Sequence, residues 1–196
     1  MNRHDITELH YIVPVGNLPS IMEHGILSHN RAAKVAHGSV AMEEIQTRRQ
    51  DKKIPGAGNL HDYANLYFDA HNPMLSRFRA RNSTICVLRV NAVVLDLPGV
   101  IIADCNASSD YVHFQPVAEG LAAFSRDRVL ARYWTHPDDP LDEIRHKSQK
   151  CAEVLVPECV DPCYILGVYV ANAAALASVG ELEICLSARV KSDTFF

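Results

Sequence analysis

The strongest constraint on the fold is a series of about seven short apolar runs rich in β-branched and aromatic residues. Each run has the length and composition of a β-strand and is far shorter than the roughly 20 residues of a membrane span. The runs are LHYIVPV (9–15), YANLYF (63–68), STICVLRV (83–90), AVVLDLPGVIIAD (92–104), CAEVLVP (151–157), YILGVYVA (164–171) and LEICLSARV (182–190). They predict a protein built around a β-sheet.

Helix-forming segments separate these runs in irregular order. Asn17 with Pro19, and Asn72 with Pro73, predict helix starts, because Asn is a good N-cap and Pro fits the first turn. Further helices are predicted in SVAMEEIQTRRQDKK (39–53), VAEGLAAFSRDRVLARYW (117–134) and NAAALASVG (172–180), whereas THPDDPLDEIRHKSQ (135–149) indicates a loop and a charged turn. The mixed order favours an α+β fold, and the 196 residues suit one domain over 1–196.

The charge balance limits the kind of partner. A formal net charge of −4 argues against a protein that coats nucleic acid non-specifically, although it leaves room for a local basic groove. Two basic clusters are candidates for such a groove, and each is alternatively a solvated face. They are Arg48, Arg49, Lys52 and Lys53, and Arg77, Arg79 and Arg81.

Neither the cysteines nor the histidines form a convincing metal motif. CVDPC (159–163) could supply two ligands, but it lacks a second nearby Cys/His pair, so core and turn thiols are favoured over zinc. The ten histidines form no H-x-x-x-H pattern, which argues against a metal-dependent hydrolase. The polar start MNRHDITELH and the lack of a long apolar run predict a cytoplasmic protein with reduced thiols.

Glu153 is the residue that most needs an explanation, because it interrupts an apolar strand. An ionised carboxylate that is dry and unpaired costs several kcal/mol. A strand Glu usually points to solvent, since residues alternate between faces. Its same-face neighbours, however, are Cys151 and Leu155. This pattern predicts that Glu153 lies in a half-buried cleft.

Several sequence blocks stand out together because of their order along the chain. They are LHYIVPVGNLPSIMEHGILS, IQTRRQ, LHDYANLYFDAHNPML, DCNAS, ARYW, KCAEVLVP and the ending TFF. The blocks span nearly the whole chain, and the ordered set is more specific than any single block. In this order they resemble the DarT family of DNA ADP-ribosyltransferases, the toxins of DarT–DarG toxin–antitoxin pairs. The resemblance implies an ADP-ribosyltransferase fold, with a split β core and flanking helices around an NAD cleft.

The resemblance also implies roles for individual residues. Glu153 would be the catalytic glutamate, because a rigidly held carboxylate can stabilise the positive charge that develops on the ribose as nicotinamide leaves. Arg48 would be the arginine in the loop over the cleft, with a part in both catalysis and NAD binding. The other NAD-binding residues would be His10, Tyr11, Ile12 and Asn17. NAD serves as co-substrate, and no metal is needed.

The implied acceptor is a base in single-stranded DNA, and the Arg48–Arg49 pair favours thymidine over guanosine. Candidate DNA or substrate contacts are Arg49, Tyr67, His113 and Arg77. Further expectations are a DarG-like macrodomain antitoxin as partner, no contact with membranes, and a monomer. Alternatives remain open: an ADP-ribosyltransferase acting on guanosine, RNA or protein, and a DNA-binding relative that has lost catalysis. The presence of both Glu153 and His10 argues against the last of these.

Overall fold

The computed structural model describes residues 1–35 and 43–196. Val40 and Met42, which the sequence places in a helix, lie outside this range. The described strands are β1 (Glu8–Pro14), β2 (Ile26–Leu27), β3 (Lys53–Ile54), β4 (Gly58–Asn59), β5 (Tyr63–Tyr67), β6 (Ile85–Asn91), β7 (Ile101–Ala103), β8 (Phe114–Pro116), β9 (Glu153–Pro157), β10 (Cys159–Val160), β11 (Ile165–Val170) and β12 (Ala188–Val190). The described helices are α1 (Leu18–His24), α2 (His29–Ala32), α3 (Glu43–Gln50), α4 (Pro73–Ser76), α5 (Val117–Ala123), α6 (Arg126–Val129), α7 (Pro140–Gln149) and α8 (Ala173–Gly180).

Within the described residues, eight strands form one mixed sheet in the order β12-β11-β6-β1-β5-β9-β7-β8. β1 and β6 pair along seven positions, and β5 and β9 pair along five. β1 and β5 meet at one register pair, His10 opposite Tyr67. The sheet therefore opens at its centre into two half-sheets, as the resemblance predicts, and the predicted α+β class is confirmed.

Alternation along the strands divides the core between the two faces of the sheet. Ala152, Val154 and Val156 join the largest apolar cluster, together with side chains of α1, α5 and α8. On the other face, Cys151 and Leu155 belong to two smaller clusters. Glu153 lies between them, as expected from its position in the strand.

Four element predictions differ from the structure. Residues 92–96 form a 3-10 turn rather than a strand, since the Asn91 side chain accepts a bond from Val93 N. Residues 117–134 contain two short helices, because Ser125 caps a new one. Residues 140–149, expected to be a loop, form α7 with Asp139 as N-cap and Pro140 in its first turn. The predicted strand at 182–190 is reduced to β12.

Candidate active site

A cavity of about 510 Å³ lies at the junction of the two half-sheets. This volume falls within the usual range for small-molecule and cofactor sites. Aromatic and apolar side chains share the walls with a few charged and polar groups. The lining residues are Tyr11, Ile12, Val13, Pro14, Asn17, Leu27, His29, Ala32, Gln46, Arg49, Leu60, His61, Tyr63, Asn65, Tyr67, Pro73, Met74, Arg77, Asn106, Lys147, Cys151 and Glu153.

Glu153 lies at the start of β9 and lines this cavity, with 0% of its surface exposed to solvent. Its backbone is fixed on both sides, because β9 pairs with β5 at Tyr67 and with β7 at Ala103. Its carboxylate accepts hydrogen bonds from Arg49 and from the backbone N–H of Ala107, the latter at 2.9 Å. The burial cost of the carboxylate is therefore offset by a cation and a backbone donor.

Arg49 is the partner of Glu153. Its Nη1 donates to both carboxylate oxygens at 3.1 Å, and its side chain is 9% exposed. Burial alone would lower the pKa of Arg49, but the charge of Glu153 and the hydrogen bonds to it outweigh that effect and raise the pKa. Arg49 therefore stays charged, and the pair forms a buried ion pair in the cavity wall.

Arg48, the arginine that the resemblance assigns to catalysis, lies elsewhere. Its Nη2 donates to Glu44 Oε1 at 3.2 Å, one helical turn away, and its side chain is 62% exposed. Adjacent residues on a helix point about 100° apart, so Arg48 and Arg49 cannot both face the cavity. The structure brings Arg49, rather than Arg48, to Glu153.

Two tyrosines line the cavity beside the ion pair. Burial raises the pKa of Tyr67 well above its ordinary value, and the charge of Glu153 adds to the effect. Burial also raises the pKa of Tyr11, while Arg49 opposes the shift. Both phenols therefore remain protonated at neutral pH and can donate hydrogen bonds while their rings pack against a ligand.

His10 lies outside the lining of the cavity as defined by the described residues. Its Nε2 is 3.3 Å from Glu8 Oε1, in a cluster in which Arg89 and Tyr169 also donate to Glu8. The hydrogen bond from His10 is the largest effect that lowers the pKa of Glu8, to about 2, and the bonds from Arg89 and Tyr169 also lower it. The side chain of His10 thus supports a polar network in the β1, β6 and β11 half-sheet.

The remaining predicted site residues divide into two groups. Ile12, Asn17 and Arg77 line the cavity, and Asn17 occupies the N-cap position of α1 without a capping bond from its side chain. His113 lies apart from this lining in the described structure. Its Nδ1 is 2.9 Å from Asp104 Oδ2, and its side chain is 75% exposed.

Sequence reasoning missed several residues of the site. His61 is 7% exposed, lines the cavity and stacks on His29 with ring centroids 4.0 Å apart. Burial lowers the pKa of His61, and the charges of His29 and Arg49 lower it further. Lys147 also lines the cavity, and it was missed because the helix that carries it, α7, was predicted to be a loop. Ala107 acts through its backbone, for which a sequence carries no signal beyond its place in the DCNAS block.

The comparison that decides the family is a match over nearly the whole chain. The family described as "ssDNA thymidine ADP-ribosyltransferase, DarT" matches residues 10–196. The chain belongs to the DarT family. The resemblance drawn from the sequence blocks is therefore confirmed.

Two curated DarT relatives are about equally similar in sequence. A DNA ADP-ribosyl transferase–DNA ADP-ribosyl glycohydrolase fusion protein of Thermosipho africanus is 30% identical over 174 residues, which are 84% of this chain and 42% of that protein. A DNA ADP-ribosyl transferase of Thermus sp. strain 2.9 is 30% identical over 162 residues, which are 76% of this chain and 74% of that protein. The chain therefore spans less than half the length of the fusion protein.

Solved DarT structures share the fold. Thermus sp. 2.9 DarT in complex with ADP-ribosylated ssDNA superposes with a TM-score of 0.81 at 23% identity, covering 98% of this chain and 97% of that one. The same protein in complex with NAD+ gives 0.75 at 20% identity, covering 98% of each. At these identities the likeness concerns the fold alone.

Proposed function

We propose that this DarT family member transfers ADP-ribose from NAD to a base in single-stranded DNA, with thymidine as the acceptor, and releases nicotinamide. The observation that carries the proposal is the buried Arg49–Glu153 ion pair in the wall of the cavity. A buried ion pair is a poor source of stability in itself, so its presence in a cavity favours a catalytic role.

The ion pair explains how Glu153 would act. An ionised carboxylate has about four acceptor positions. Arg49 and Ala107 occupy three of them in this structure, which leaves capacity for a ribose hydroxyl. Because the carboxylate is already held in place, it needs little reorganisation when positive charge develops nearby.

The transfer then breaks the bond between nicotinamide and ribose and forms a bond between ribose and the base. The bond between nicotinamide N1 and ribose C1 breaks, and its electron pair leaves with nicotinamide. Glu153 stabilises the oxocarbenium-like ribose, and a ring nitrogen of the base attacks C1 while its proton leaves. The products are nicotinamide, ADP-ribosylated DNA and one proton. Arg49, being a permanent cation, suits a base that becomes anionic as its proton departs.

The polar groups along the cavity suggest how two substrates would share it. Asn17 and Tyr11 line one part, and we assign them to NAD together with Ile12. Arg77 and Lys147 are cations that also line the cavity and suit the DNA backbone, while Tyr67 suits a base, since aromatic rings stack on single-stranded bases.

The proposal includes further expectations about the cell. Both NAD and DNA are found inside cells, which supports a cytoplasmic location. No helix within residues 1–35 and 43–196 is long and apolar enough to cross a membrane.

In the part of the chain that is described, no group of three or more His, Cys, Asp or Glu side chains could hold a metal ion. We expect a monomer with the activity in one domain over residues 1–196.

A DarG-like macrodomain that removes the adduct is the proposed partner. The Thermosipho relative joins a transferase to a DNA ADP-ribosyl glycohydrolase in one chain, which supports this pairing. Expression of the wild-type chain should stop growth because bulky adducts block replication, and co-expression of the glycohydrolase should restore it. Growth without the glycohydrolase would count against the toxin assignment.

Tandem mass spectrometry tests the acceptor. A single-stranded oligonucleotide that contains all four bases is incubated with NAD, and fragmentation locates the added ADP-ribose. The same sequence as RNA, and a duplex, serve as controls. The proposal predicts the adduct on thymidine in single-stranded DNA. An adduct on guanosine, on the RNA or on the protein itself would assign a different acceptor.

A further inference from the structure

Lys52 is one of four cations in the segment that carries Arg49, and the structure separates their roles. Arg48 and Lys53 are exposed, and Arg49 binds Glu153. Lys52 is partly buried, and its Nζ donates to the backbone carbonyl of Ser109 at 2.6 Å. It is also 4.0 Å from Asp110, but that carboxylate is 97% exposed and contributes little.

The carbonyl that Lys52 binds belongs to the same turn that donates to Glu153. Ser109 N donates to Asn106 O at 2.9 Å, and Ser108 bonds to the Asn106 side chain through both its N and its Oγ. Ala107, within this turn, gives its N–H to Glu153. The position of the Ser109 carbonyl is thus tied to the donor that holds the catalytic carboxylate.

These contacts close a ring around Glu153. Arg49 and Ala107 both donate to its carboxylate, and Lys52 joins their two segments through the Ser109 carbonyl. Lys52 N also donates to Arg49 O at 3.2 Å, so the ammonium and the guanidinium belong to one turn of chain. The ring links a helix end, a loop and a strand through polar contacts.

Most of the described side chains on the helix that bears Arg49 are exposed to solvent. Glu44, Thr47, Arg48 and Gln50 are exposed, and α3 has the polar sequence EEIQTRRQ. A helix without an apolar face depends on tertiary contacts at its ends. Lys52 supplies such a contact three residues after Arg49, before the chain enters the core at Ile54.

We propose that Lys52 is a positioning residue for the transfer reaction: it fastens the Arg49 segment to the 106–109 turn and so holds Arg49 and Ala107 on Glu153. This inference rests on the proposed catalytic role of Glu153. Lys52 touches neither substrate in this assignment, so its loss should lower turnover rather than substrate affinity. A phosphate-contacting lysine would instead weaken binding of the oligonucleotide.

The test compares Lys52→Met, Lys52→Arg and Lys53→Met with the wild type. Met keeps the length of the stem without the ammonium, whereas Arg can still donate to a carbonyl. For Lys52→Met we expect kcat to fall by on the order of 10²-fold, with KM for NAD and for the oligonucleotide within about twofold. Lys52→Arg should restore most of the rate, and Lys53→Met, altered at an exposed neighbour, should match the wild type.

Two further measurements separate positioning from general support of the fold. In an Arg49→Met background, Lys52→Met should lower kcat little further, because the arginine that Lys52 holds on Glu153 is already absent. In protein labelled with nitrogen-15 arginine, the Arg49 guanidinium protons, assigned by their loss in Arg49→Met, should exchange slowly in the wild type and faster in Lys52→Met. This second measurement needs no transfer activity.

Failure of the proposed function and failure of the positioning role of Lys52 would give different results. Failure of the wild type to modify the oligonucleotide would remove the proposed function, while proton exchange at Arg49 would still decide whether Lys52 holds it. A Lys52→Met variant with wild-type kcat, with a loss confined to KM for the oligonucleotide, or with unchanged exchange at Arg49 would overturn the positioning role.

Discussion

Arg49 and Glu153, which are 104 residues apart in the chain, meet in the central cavity with Nη1 of the arginine 3.1 Å from each carboxylate oxygen. This contact explains why a carboxylate interrupts an apolar strand. The ion pair and the Ala107 N–H make the buried charge tolerable, and the carboxylate lines the cavity. The same contact shows that Arg49, rather than Arg48, is the arginine beside Glu153.

Replacement of Arg49 by Met should affect both stability and activity. Glu153 would remain buried without its cation, and breaking a buried ion pair costs about 3–5 kcal/mol. ADP-ribose transfer should fall by on the order of 10²-fold or more. Arg48→Met is the matched control and should change stability by less than about 0.5 kcal/mol, since its pair with Glu44 is exposed. Urea unfolding and initial rates measure both effects, and loss of transfer in Arg48→Met alone would restore the role that the resemblance gives to Arg48.

Glu8 should give the protein part of its acid sensitivity. Its pKa is lowered from 4.5 to about 2, so its contribution is fully present above pH 4.5 and is lost as the pH falls toward about 2. The shift corresponds to at most about 3 kcal/mol. Glu8→Gln should therefore unfold more easily at pH 7 and show a shallower loss of stability over this acid range. Asp96→Asn, at an exposed pair with Arg3, is the control. An unchanged acid slope in Glu8→Gln would contradict the network.

Tyr11 and His10 provide a contrast between adjacent residues of β1. Tyr11 lines the cavity, so Tyr11→Ala should weaken NAD binding by roughly tenfold through lost aromatic packing. His10 binds Glu8 instead, so His10→Ala should lower the free energy of unfolding and leave the Kd for NAD nearly unchanged. Calorimetric titration with NAD measures both. A weaker Kd in His10→Ala would support the NAD-binding role that the resemblance assigns to His10.

The cysteines should differ sharply in reactivity. Burial raises the pKa of Cys105 to about 11 and that of Cys151 to about 12, and it raises the pKa of Cys86 as well. Cys163 and Cys185 are exposed, and no disulfide joins any of the six, all of which lie in the described structure. Asp161 raises the pKa of Cys163, but the reagent can reach this thiol and that of Cys185, so iodoacetamide at about pH 7.5 should label both long before the buried three. Peptide mass spectrometry measures the order, and early labelling of Cys151 would contradict its burial beside Glu153.

Much of the fold could be predicted because apolar strands leave a clear pattern. All seven predicted strands contain a described strand, five of them near the expected bounds, whereas only Ile101–Ala103 remains of the run at 92–104 and only Ala188–Val190 of the last. The run at 92–104 begins with a 3-10 turn, because local capping by Asn91 competes with β pairing. Helix α7 was missed because its acidic residues and prolines suggested a turn, although Asp139-Pro140 is also a helix start.

The sequence predicts a functional role for Glu153, but it does not predict which residues contact its carboxylate. Glu153 stood out because its charge conflicts with its surroundings, and such conflicts mark functional positions. Which of two adjacent arginines faces it depends on the rotation of α3, which a polar helix without an apolar stripe does not encode. The roles of Lys52 and Ala107 depend on backbone atoms brought together by the fold, and they leave no pattern in the sequence.

The most direct test of the whole account is the initial rate of ADP-ribose transfer by Glu153→Gln, which keeps the shape of the side chain and removes its charge. The wild type and the variant are incubated with a thymidine-containing single-stranded oligonucleotide at saturating NAD. Mass spectrometry measures how fast the oligonucleotide gains the mass of one ADP-ribose. The account predicts a rate lower by on the order of 10²-fold or more in the variant, with NAD still bound. A rate close to that of the wild type would contradict the assignment of Glu153 as the catalytic carboxylate.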